Sequence, residues 1–391
     1  MSVATDADTA LLDGVRRIAD EVAAVHADEV DKEARFPAET IEALRAEGAL
    51  SALVPQGLGG LEASLEAVAR SCFELGRRCG AAGMVFAMHQ IQVACMVDHR
   101  GEGAAWFDDF LRELVTKQRL VASITSEVGT GGDMGSSIAA VTENDAGEAS
   151  FEKQAPTVSY GPYADAFLTT LRRSPDAEPG DQVAVLTRRE QMEMVRQGTW
   201  DPLGMRGTCS PGFVAKATFA VDQVLPVPFS TVSAETMTPV SHILWSQVWL
   251  GIATDAFDRA RAFTKAAAKR KPGEPPSGAV RLSELMAELS LLRAEVGLAL
   301  REYCDLRRGD RARLSEMATI LRFNNLKIAA SEQAPKVCQQ ALGVCGIVGY
   351  KNDTPFSVGR HLRDAMSARL MVANERIHGT DASLILIAKD V

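Results

Sequence analysis

Residues 124–133, Ile-Thr-Ser-Glu-Val-Gly-Thr-Gly-Gly-Asp, are the stretch that decides the fold. An alternating run ends at Ile124 and passes into a turn that holds Gly129, Gly131 and Gly132. Glycine adopts backbone conformations that other residues resist, so this turn exposes amides and hydroxyls at a strand end. Such groups can hydrogen-bond the polar edge of a bound cofactor or substrate. Alone, the pattern also fits an ordinary surface loop.

Short alternating runs separated by turn residues surround this turn and predict β-strands. We expect a small antiparallel β domain over residues 120–231, with a barrel-like arrangement. The predicted strands are Leu120 to Ile124, Ser136 to Thr142, Ala166 to Leu171, Val183 to Leu186 and Phe213 to Val221.

Helical periodicity flanks the β segment on both sides. The spacing of Leu65, Val68, Cys72 and Leu75 is typical of the N-terminal part, and residues 1–119 are predicted to form a helical domain. Residues 232–391 show the same period and are predicted to form a four-helix bundle, interrupted by a proline-containing loop after Lys269. The predicted fold class is therefore α+β, in the order helical, β, helical.

The bulk properties exclude several classes of protein. No apolar run approaches the roughly 20 residues of a membrane span, and the first residues lack a basic and apolar leader, so we expect a cytoplasmic protein without a membrane partner. A net charge of −9 opposes nucleic-acid binding. Seven cysteines without a CxxC pair or histidine partners at zinc spacing predict reduced thiols and no metal site.

Two further segments place hydroxyls next to turns, at residues 157–165 (TVSYGPYAD) and 203–210 (LGMRGTCS). Taken in order with residues 124–133, they resemble the T-E-P-x-x-G-S-D, I-T-N-G and L-G-x-R-x-S-x-T motifs of the acyl-CoA dehydrogenase superfamily. The helical part agrees, because Cys338 to Gly346 is similar to the Q-x-x-G-G-x-G segment of that family and Arg363-Asp364-Ala365 to its R-D-A. The resemblance spans nearly the whole chain and implies an FAD-dependent oxidoreductase that forms a homo-oligomer, a tetramer or a dimer.

The resemblance also implies a set of cofactor residues. Ser126 stands where a family threonine hydrogen-bonds the flavin, Ser159 where another reaches flavin N5, and Thr157 where many members place a tryptophan. Gln340 and Gly343 match positions that hold the dinucleotide part of FAD; a helix end capped by glycine is the less favoured alternative. The full set of cofactor residues is Ile124, Ser126, Thr157, Ser159, Arg270, Gln340 and Gly343.

Two departures from the family pattern affect the cofactor and substrate contacts. Gly132 replaces the serine of the first loop on the expected substrate side. Instead of the family's R-x-x-F-G, the chain has Lys269 and Arg270 followed by Lys271-Pro272-Gly273, so Arg270 is the predicted cation for the FAD pyrophosphate.

The resemblance implies dehydrogenation of an acyl thioester, carried by CoA or acyl carrier protein, to the 2-enoyl form. An electron-transfer flavoprotein would be the next electron carrier. This reaction needs a base for the α proton, usually a glutamate. At the two family positions for that glutamate stand His378 and, at the start of a helix, Ser241-His242. Glu375, about one helical turn before His378, and His378 itself are the candidate catalytic residues, and His242 is a candidate substrate contact.

Two alternatives remain open at the level of sequence. Flavin monooxygenases of the same fold use reduced flavin and oxygen, need no α-proton base, and often place a serine and a histidine near the flavin, as Ser159 and His378 would be. The Gly-Gly-Asp of the first loop favours the dehydrogenases. A catalytically silent flavin-fold binding protein is the third hypothesis.

Overall fold

The computed structural model describes residues 5–101, 104–144, 148–270, 272–273, 275–276 and 278–388. In the N-terminal part, the first helix starts at a capping box in which Thr5 and Asp8 exchange side-chain to backbone hydrogen bonds. Its last turns widen into a π-helical segment, Ala19–Ala23, before the next helix. The helices are α1 (Asp6–Ile18), α2 (Ala24–Glu33), α3 (Ala38–Ala46), α4 (Leu65–Arg78), α5 (Gly80–His99) and α6 (Ala105–Lys117).

Helix α5 runs through the protein interior. Among the described helices it alone is long and apolar enough to cross a membrane. This contradicts the expectation that no stretch of the chain is long and apolar enough to do so. However, 89% of the most apolar part of the helix is buried inside the protein. A helix that is apolar on every face is explained by burial in a large core.

The middle segment forms two small sheets that stay open. The strands are β1 (Val121–Ile124), β2 (Thr142–Glu143), β3 (Glu148–Ala155), β4 (Ala166–Arg172), β5 (Gln182–Arg188), β6 (Met192–Gln197) and β7 (Gly212–Ala220). One sheet has the order β1-β4-β5 and the other β2-β3-β7-β6. Strand β1 pairs with β4 in parallel, and the other strand pairs are antiparallel.

The predicted strand from Ser136 to Thr142 is wrong, because that stretch is mostly loop. The backbone amides of Ile138 and Ala139 donate to the carboxylate of Glu127, at 3.1 and 2.7 Å, instead of to a neighbouring strand. A buried side chain has therefore taken the place of a ladder partner.

The C-terminal part is again helical, which confirms the order helical, β, helical. The helices are α7 (Phe229–Val232), α8 (Thr238–Arg270), α9 (Ala279–Arg308), α10 (Met317–Tyr350), α11 (Gly359–Met366) and α12 (Asn374–Leu384). Helix α8 packs against α4 and α5 of the N-terminal part and also against α9, α10 and α11. The proposed domain boundaries fall near the points where helix gives way to strand and strand to helix, and they stay predictions.

The turn at residues 203–209 joins the β segment to the helices. The amide of Met205 donates to the carboxylate of Asp364 at 2.7 Å, and Arg363 pairs with Asp31 of α2. A methyl group on Gly204 would lie 2.0 Å from the carbonyl oxygen of Arg363, so this glycine is required by close backbone approach. The R-D-A motif therefore has a structural task, holding the sheets against the helices.

Candidate active site

The side-chain hydroxyls of Ser126, Thr157, Ser159 and Ser210 form a row, here called the hydroxyl row, close to the ends of β1 and β3. Ser126 Oγ donates to the carbonyl of Thr157 at 3.0 Å, and Ser210 Oγ donates to Ser159 Oγ at 3.2 Å. The side chain of Thr157 is exposed and those of Ser126 and Ser159 are half-buried. Ile124, by contrast, is buried at the end of β1, so it could meet a cofactor only through its backbone.

The backbone beside this hydroxyl row is held in an unusual shape by Tyr160. This residue has a φ of +42°, its amide donates to the carbonyl of Thr208 at 2.8 Å, and its hydroxyl donates to the carbonyl of Val121 at 2.9 Å. Burial raises the pKa of the Tyr160 phenol far above its ordinary value, so the group stays neutral. Tyr160 therefore fixes Ser159 in place without supplying a charge.

The glycine turn next to the row is anchored from below by a buried ion pair. Glu127, which accepts the amides of Ile138 and Ala139, lies 3.6 Å from Lys153 Nζ. Lys153 is fully buried and also donates to the carbonyl of Thr170 at 2.6 Å. Burial lowers the pKa of Lys153 to about 8, an effect that the charge of Glu127 opposes. The position of the turn therefore depends on a charged pair beneath it.

Helix α12 meets the glycine turn from the opposite side. A methyl group on Gly132 would lie 3.2 Å from both terminal nitrogens of Arg376, so the guanidinium rests against the turn backbone. Of the two candidate bases on α12, Glu375 has 77% of its side chain exposed and lies 3.7 Å from Arg369, and His378 is also exposed. The structure thus brings Gly132 and α12 together but leaves Glu375 facing solvent.

A second buried lysine holds the segment that leads into α12. Lys327 Nζ donates to the carbonyl of Val372 at 2.9 Å and to Asn374 Oδ1 at 2.6 Å. Asn324, one turn earlier on α10, donates to the carboxylate of Asp381 at 2.6 Å. Burial lowers the pKa of Lys327 to about 8. The position of the α12 segment therefore rests on α10.

His242 is buried in the first turns of α8. Its Nδ1 lies 3.0 Å from the carbonyl oxygen of Phe323, and since a carbonyl can only accept, Nδ1 carries the proton and Nε2 is left as an acceptor. Burial lowers the pKa of His242 to about 3, with the charge of Lys327 acting in the same direction. His242 is therefore a neutral imidazole near pH 7, suited to accept a hydrogen bond and poorly suited to remove a proton from carbon.

The remaining predicted cofactor residues lie on the helices. Arg270 ends α8 with its side chain exposed, while Lys271 falls outside the described residues. Gln340 is half-buried on α10 and Gly343 is exposed, its carbonyl 3.5 Å from Arg281. In the described part of the chain, no hydrogen bond or ion pair links these three residues to the hydroxyl row. The helix breaks at Gly346, where φ is +58°, rather than at Gly343.

These features fit a flavin. Accessible hydroxyls line one edge of the site, and the neighbouring turn has positive φ at Gly129, Gly131 and Gly132, which allows backbone to approach a ring or phosphate closely. Ser126 and Ser159 would face the ring edge, and the turn would face a polar part of the ligand. Within the described residues, no group of three or more histidine, cysteine or acidic residues has the arrangement of a metal site.

Sequence reasoning missed three residues that shape this site, namely Glu127, Lys327 and Arg376. The first two carry no local signal, since a charged side chain in a polar loop or on a helix usually faces water. For Arg376, the one available signal is its place between Glu375 and His378, the two candidate catalytic residues.

Comparisons with known proteins establish the family of this chain. Residues 5–117 match the model of the acyl-CoA dehydrogenase N-terminal domain, and residues 234–381 match that of the C-terminal domain. The amino sugar nitrososynthase DnmZ of Streptomyces peucetius is 26% identical, over 96% of this chain and 92% of its own length.

Two solved structures share the fold across almost the whole chain. Butyryl-CoA dehydrogenase from Megasphaera elsdenii has a TM-score of 0.85 at 19% identity, covering 99% of this chain and 100% of its own. KijD3, solved with FMN and dTDP-3-amino-2,3,6-trideoxy-4-keto-3-methyl-D-glucose, has a TM-score of 0.83 at 25% identity, covering 99% and 95%. Proteins of this fold thus include a dehydrogenase and one whose structure holds FMN together with a nucleotide-linked sugar. This chain belongs to the acyl-CoA dehydrogenase family of flavin oxidoreductases.

Proposed function

We propose that this protein is a flavin-dependent monooxygenase that oxidises the amine nitrogen of a sugar-like substrate. One observation carries the proposal: no carboxylate stands at either position where the family resemblance puts the catalytic glutamate, because Ser241-His242 of α8 and His378 of α12 occupy them. The DnmZ relative, named for its action on amino sugars, supports the choice of substrate class.

The environment of His242 supports the choice of reaction. Abstracting the α proton of a thioester requires a strong, well-placed base. His242, with a pKa lowered by burial to about 3, cannot serve as one near pH 7. Its free Nε2 can instead accept a hydrogen bond from a substrate N–H or O–H and so orient an amine.

In the proposed reaction, the electrons and the two atoms of O2 are all accounted for. Reduced flavin, when bound, supplies the two electrons with which one atom of O2 becomes water while the other is transferred to the amine nitrogen. Ser126 and Ser159 would hold the flavin edge through their hydroxyls, and Tyr160 would keep Ser159 in place. His378, exposed on α12, would take the proton that the amine loses.

The cofactor is proposed to be FMN or FAD. The hydroxyl row and the glycine turn would serve either flavin, and KijD3, solved with FMN, favours the smaller one for this chain. We further propose that the enzyme works in the cytoplasm as a homo-oligomer, on the strength of the family resemblance.

Dehydrogenation of an acyl thioester, with an electron-transfer flavoprotein as electron acceptor, is the second candidate. The structural similarity to butyryl-CoA dehydrogenase favours it, as does the presence of Glu375 one helical turn from the family position of the base. For Glu375 to act, its carboxylate would have to leave Arg369 and turn inward from a position that is 77% exposed.

Two assays on the purified protein separate these candidates. In the first, a flavin reductase supplies reduced FMN or FAD in air, and nucleotide-linked amino sugars are screened for products heavier by one oxygen atom. In the second, oxidised flavoprotein is titrated anaerobically with acyl-CoA and acyl-carrier-protein thioesters. Oxygenated product together with unbleached flavin is the expected result. Bleaching by a thioester would establish the dehydrogenase instead, and failure of both assays would point to a silent binding protein.

A further inference from the structure

Arg376 has an arrangement that neither the flavin ring contacts nor the candidate bases explain. Its guanidinium lies against the backbone of Gly132, a residue of a different domain and far away in sequence. The side chain is half-buried. Among the residues that the structure describes, no carboxylate comes within ion-pair distance of it. By contrast, Arg369 and Arg363, which precede it in the C-terminal part of the chain, both have acidic partners.

A half-buried guanidinium that no carboxylate neutralises keeps its charge and its donors available to an anion. The glycine turn offers further donors for such an anion. The amides of Gly131 and Gly132 donate to no carbonyl in the described part of the chain, whereas the amide of Asp133, next along, donates to Thr130 at 3.1 Å. Successive free amides in a turn with positive φ form a concave site that favours negative charge.

The local electrostatics strengthen the same site. Arg376 lies in the first turn of α12, an eleven-residue helix whose N-terminal end carries partial positive charge. Arg270, the cation that the family resemblance assigned to the pyrophosphate, is exposed at the C-terminal end of α8, where the helix end is partly negative. Arg376 therefore has the more favourable surroundings for a phosphate.

We propose that Arg376 and the free amides of Gly131 and Gly132 together bind a phosphoryl group. Guanidinium recognises phosphate through two parallel hydrogen bonds, and the turn amides would complete its coordination. The inference rests on the proposed function, since the group belongs either to the 5′-phosphate of the flavin or to the diphosphate of a nucleotide-linked substrate.

Ligand binding to the purified full-length protein tests this proposal without turnover. Dissociation constants of FMN, riboflavin and dTDP are measured by fluorescence and calorimetry for the wild type, Arg376→Ala, Arg376→Gln and Arg369→Ala. Riboflavin lacks the phosphate, and Arg369→Ala removes the same charge from the same segment without touching the turn. The Gln variant keeps a polar side chain in case Ala perturbs folding, and a thermal melt of each variant checks its integrity.

If the flavin phosphate occupies the site, both Arg376 variants weaken FMN at least about tenfold, the loss of a charged hydrogen bond, while riboflavin and the Arg369 variant change less than about twofold. If the substrate diphosphate occupies it, the same loss appears for dTDP and not for FMN. Either result supports the phosphoryl site and names its source.

The proposal is overturned if FMN and dTDP both bind the Arg376 variants as tightly as the wild type, or if riboflavin loses as much affinity as FMN while dTDP is unaffected. Because no oxygen or turnover is involved, such a result leaves the proposed oxygenation to its own assays.

Discussion

The glycine turn forms one wall of the candidate site, the β wall, and the α12 segment forms the other, the helical wall. Each wall is held by a buried lysine, and the two lysines do so in different ways. Lys153, below the glycine turn, has a carboxylate partner in Glu127 at 3.6 Å. Lys327, below the α12 segment, bonds only neutral oxygens of Val372 and Asn374 among its described contacts. Burial lowers the pKa of each lysine to about 8. The β wall is therefore held by an ion pair, whereas Lys327 of the helical wall has no carboxylate within ion-pair distance among its described contacts and is offset only by the more distant charges of Glu375 and Glu332. This makes the helical wall the more easily disturbed.

The largest effect is expected from removing the buried cation of the helical wall. Lys327→Met leaves Asn374 and the carbonyl of Val372 without their donor, and should lower the free energy of unfolding by about 3 kcal/mol. Denaturant titration measures this loss, with flavin affinity as a second readout of the α12 segment. Lys336→Met is the matched control, since Lys336 lies on the same helix in a surface pair with Glu288. Equal stability of the two variants would contradict the assignment.

In the β wall, Glu127 and Lys153 should affect the free energy of unfolding as a coupled pair. Glu127→Gln leaves Lys153 buried without a countercharge and removes one acceptor from the loop amides, at a cost of about 2 kcal/mol. The double variant Glu127→Gln with Lys153→Met should recover part of this loss, because it no longer buries an unpaired charge. Additive losses in the denaturant titrations would show that the two side chains act independently.

Both buried lysines, Lys153 and Lys327, should make the free energy of unfolding depend on pH. A lysine whose folded pKa lies near 8, below its unfolded value of about 10.4, costs stability while it is charged, and this cost disappears as pH rises from about 8 to 10.4. The stability of the wild type relative to Lys327→Met should therefore increase across that window. Comparing the two proteins cancels the tyrosines and cysteines that they share. A flat difference would show that folding does not lower the pKa of Lys327.

The smallest effect is expected from Glu375, on the exposed side of α12. Its carboxylate is 77% exposed and its contact with Arg369 is 3.7 Å long, so Glu375→Gln should leave unfolding and flavin affinity within experimental error of the wild type. Oxygenation of the amine should also be unchanged. A strong loss of thioester-driven flavin reduction in this variant would instead restore Glu375 as the base.

Much of the fold could be predicted from the sequence because the pattern of each region has a single period. Helical spacing on both sides of an alternating segment was enough to give the order of the three parts. Strand β3 was missed because Lys153 occupies an inward position, so Ala149, Phe151 and Ala155 do not form an unbroken alternation. Strand β6 was missed because its side chains are largely exposed and polar.

The candidate site was less predictable than the fold, since it depends on contacts between distant residues. The sequence pointed to the hydroxyls of Ser126 and Ser159, which follow strands directly. That Arg376 would rest on Gly132 could not be inferred, because α12 reaches the turn only after the whole helical part has folded. The burial of Glu127 is likewise a tertiary effect, and it also explains why the amides of Ile138 and Ala139 do not extend a strand.

The central claim is that this chain transfers oxygen rather than removing hydrogen from a thioester. The most direct measurement supplies reduced flavin and 18O2 to the purified enzyme with a nucleotide-linked amino sugar, and follows the product by mass spectrometry. We predict that one 18O atom appears on the amine nitrogen. Absence of label in every product, together with anaerobic bleaching of the oxidised flavin by an acyl thioester, would contradict the account.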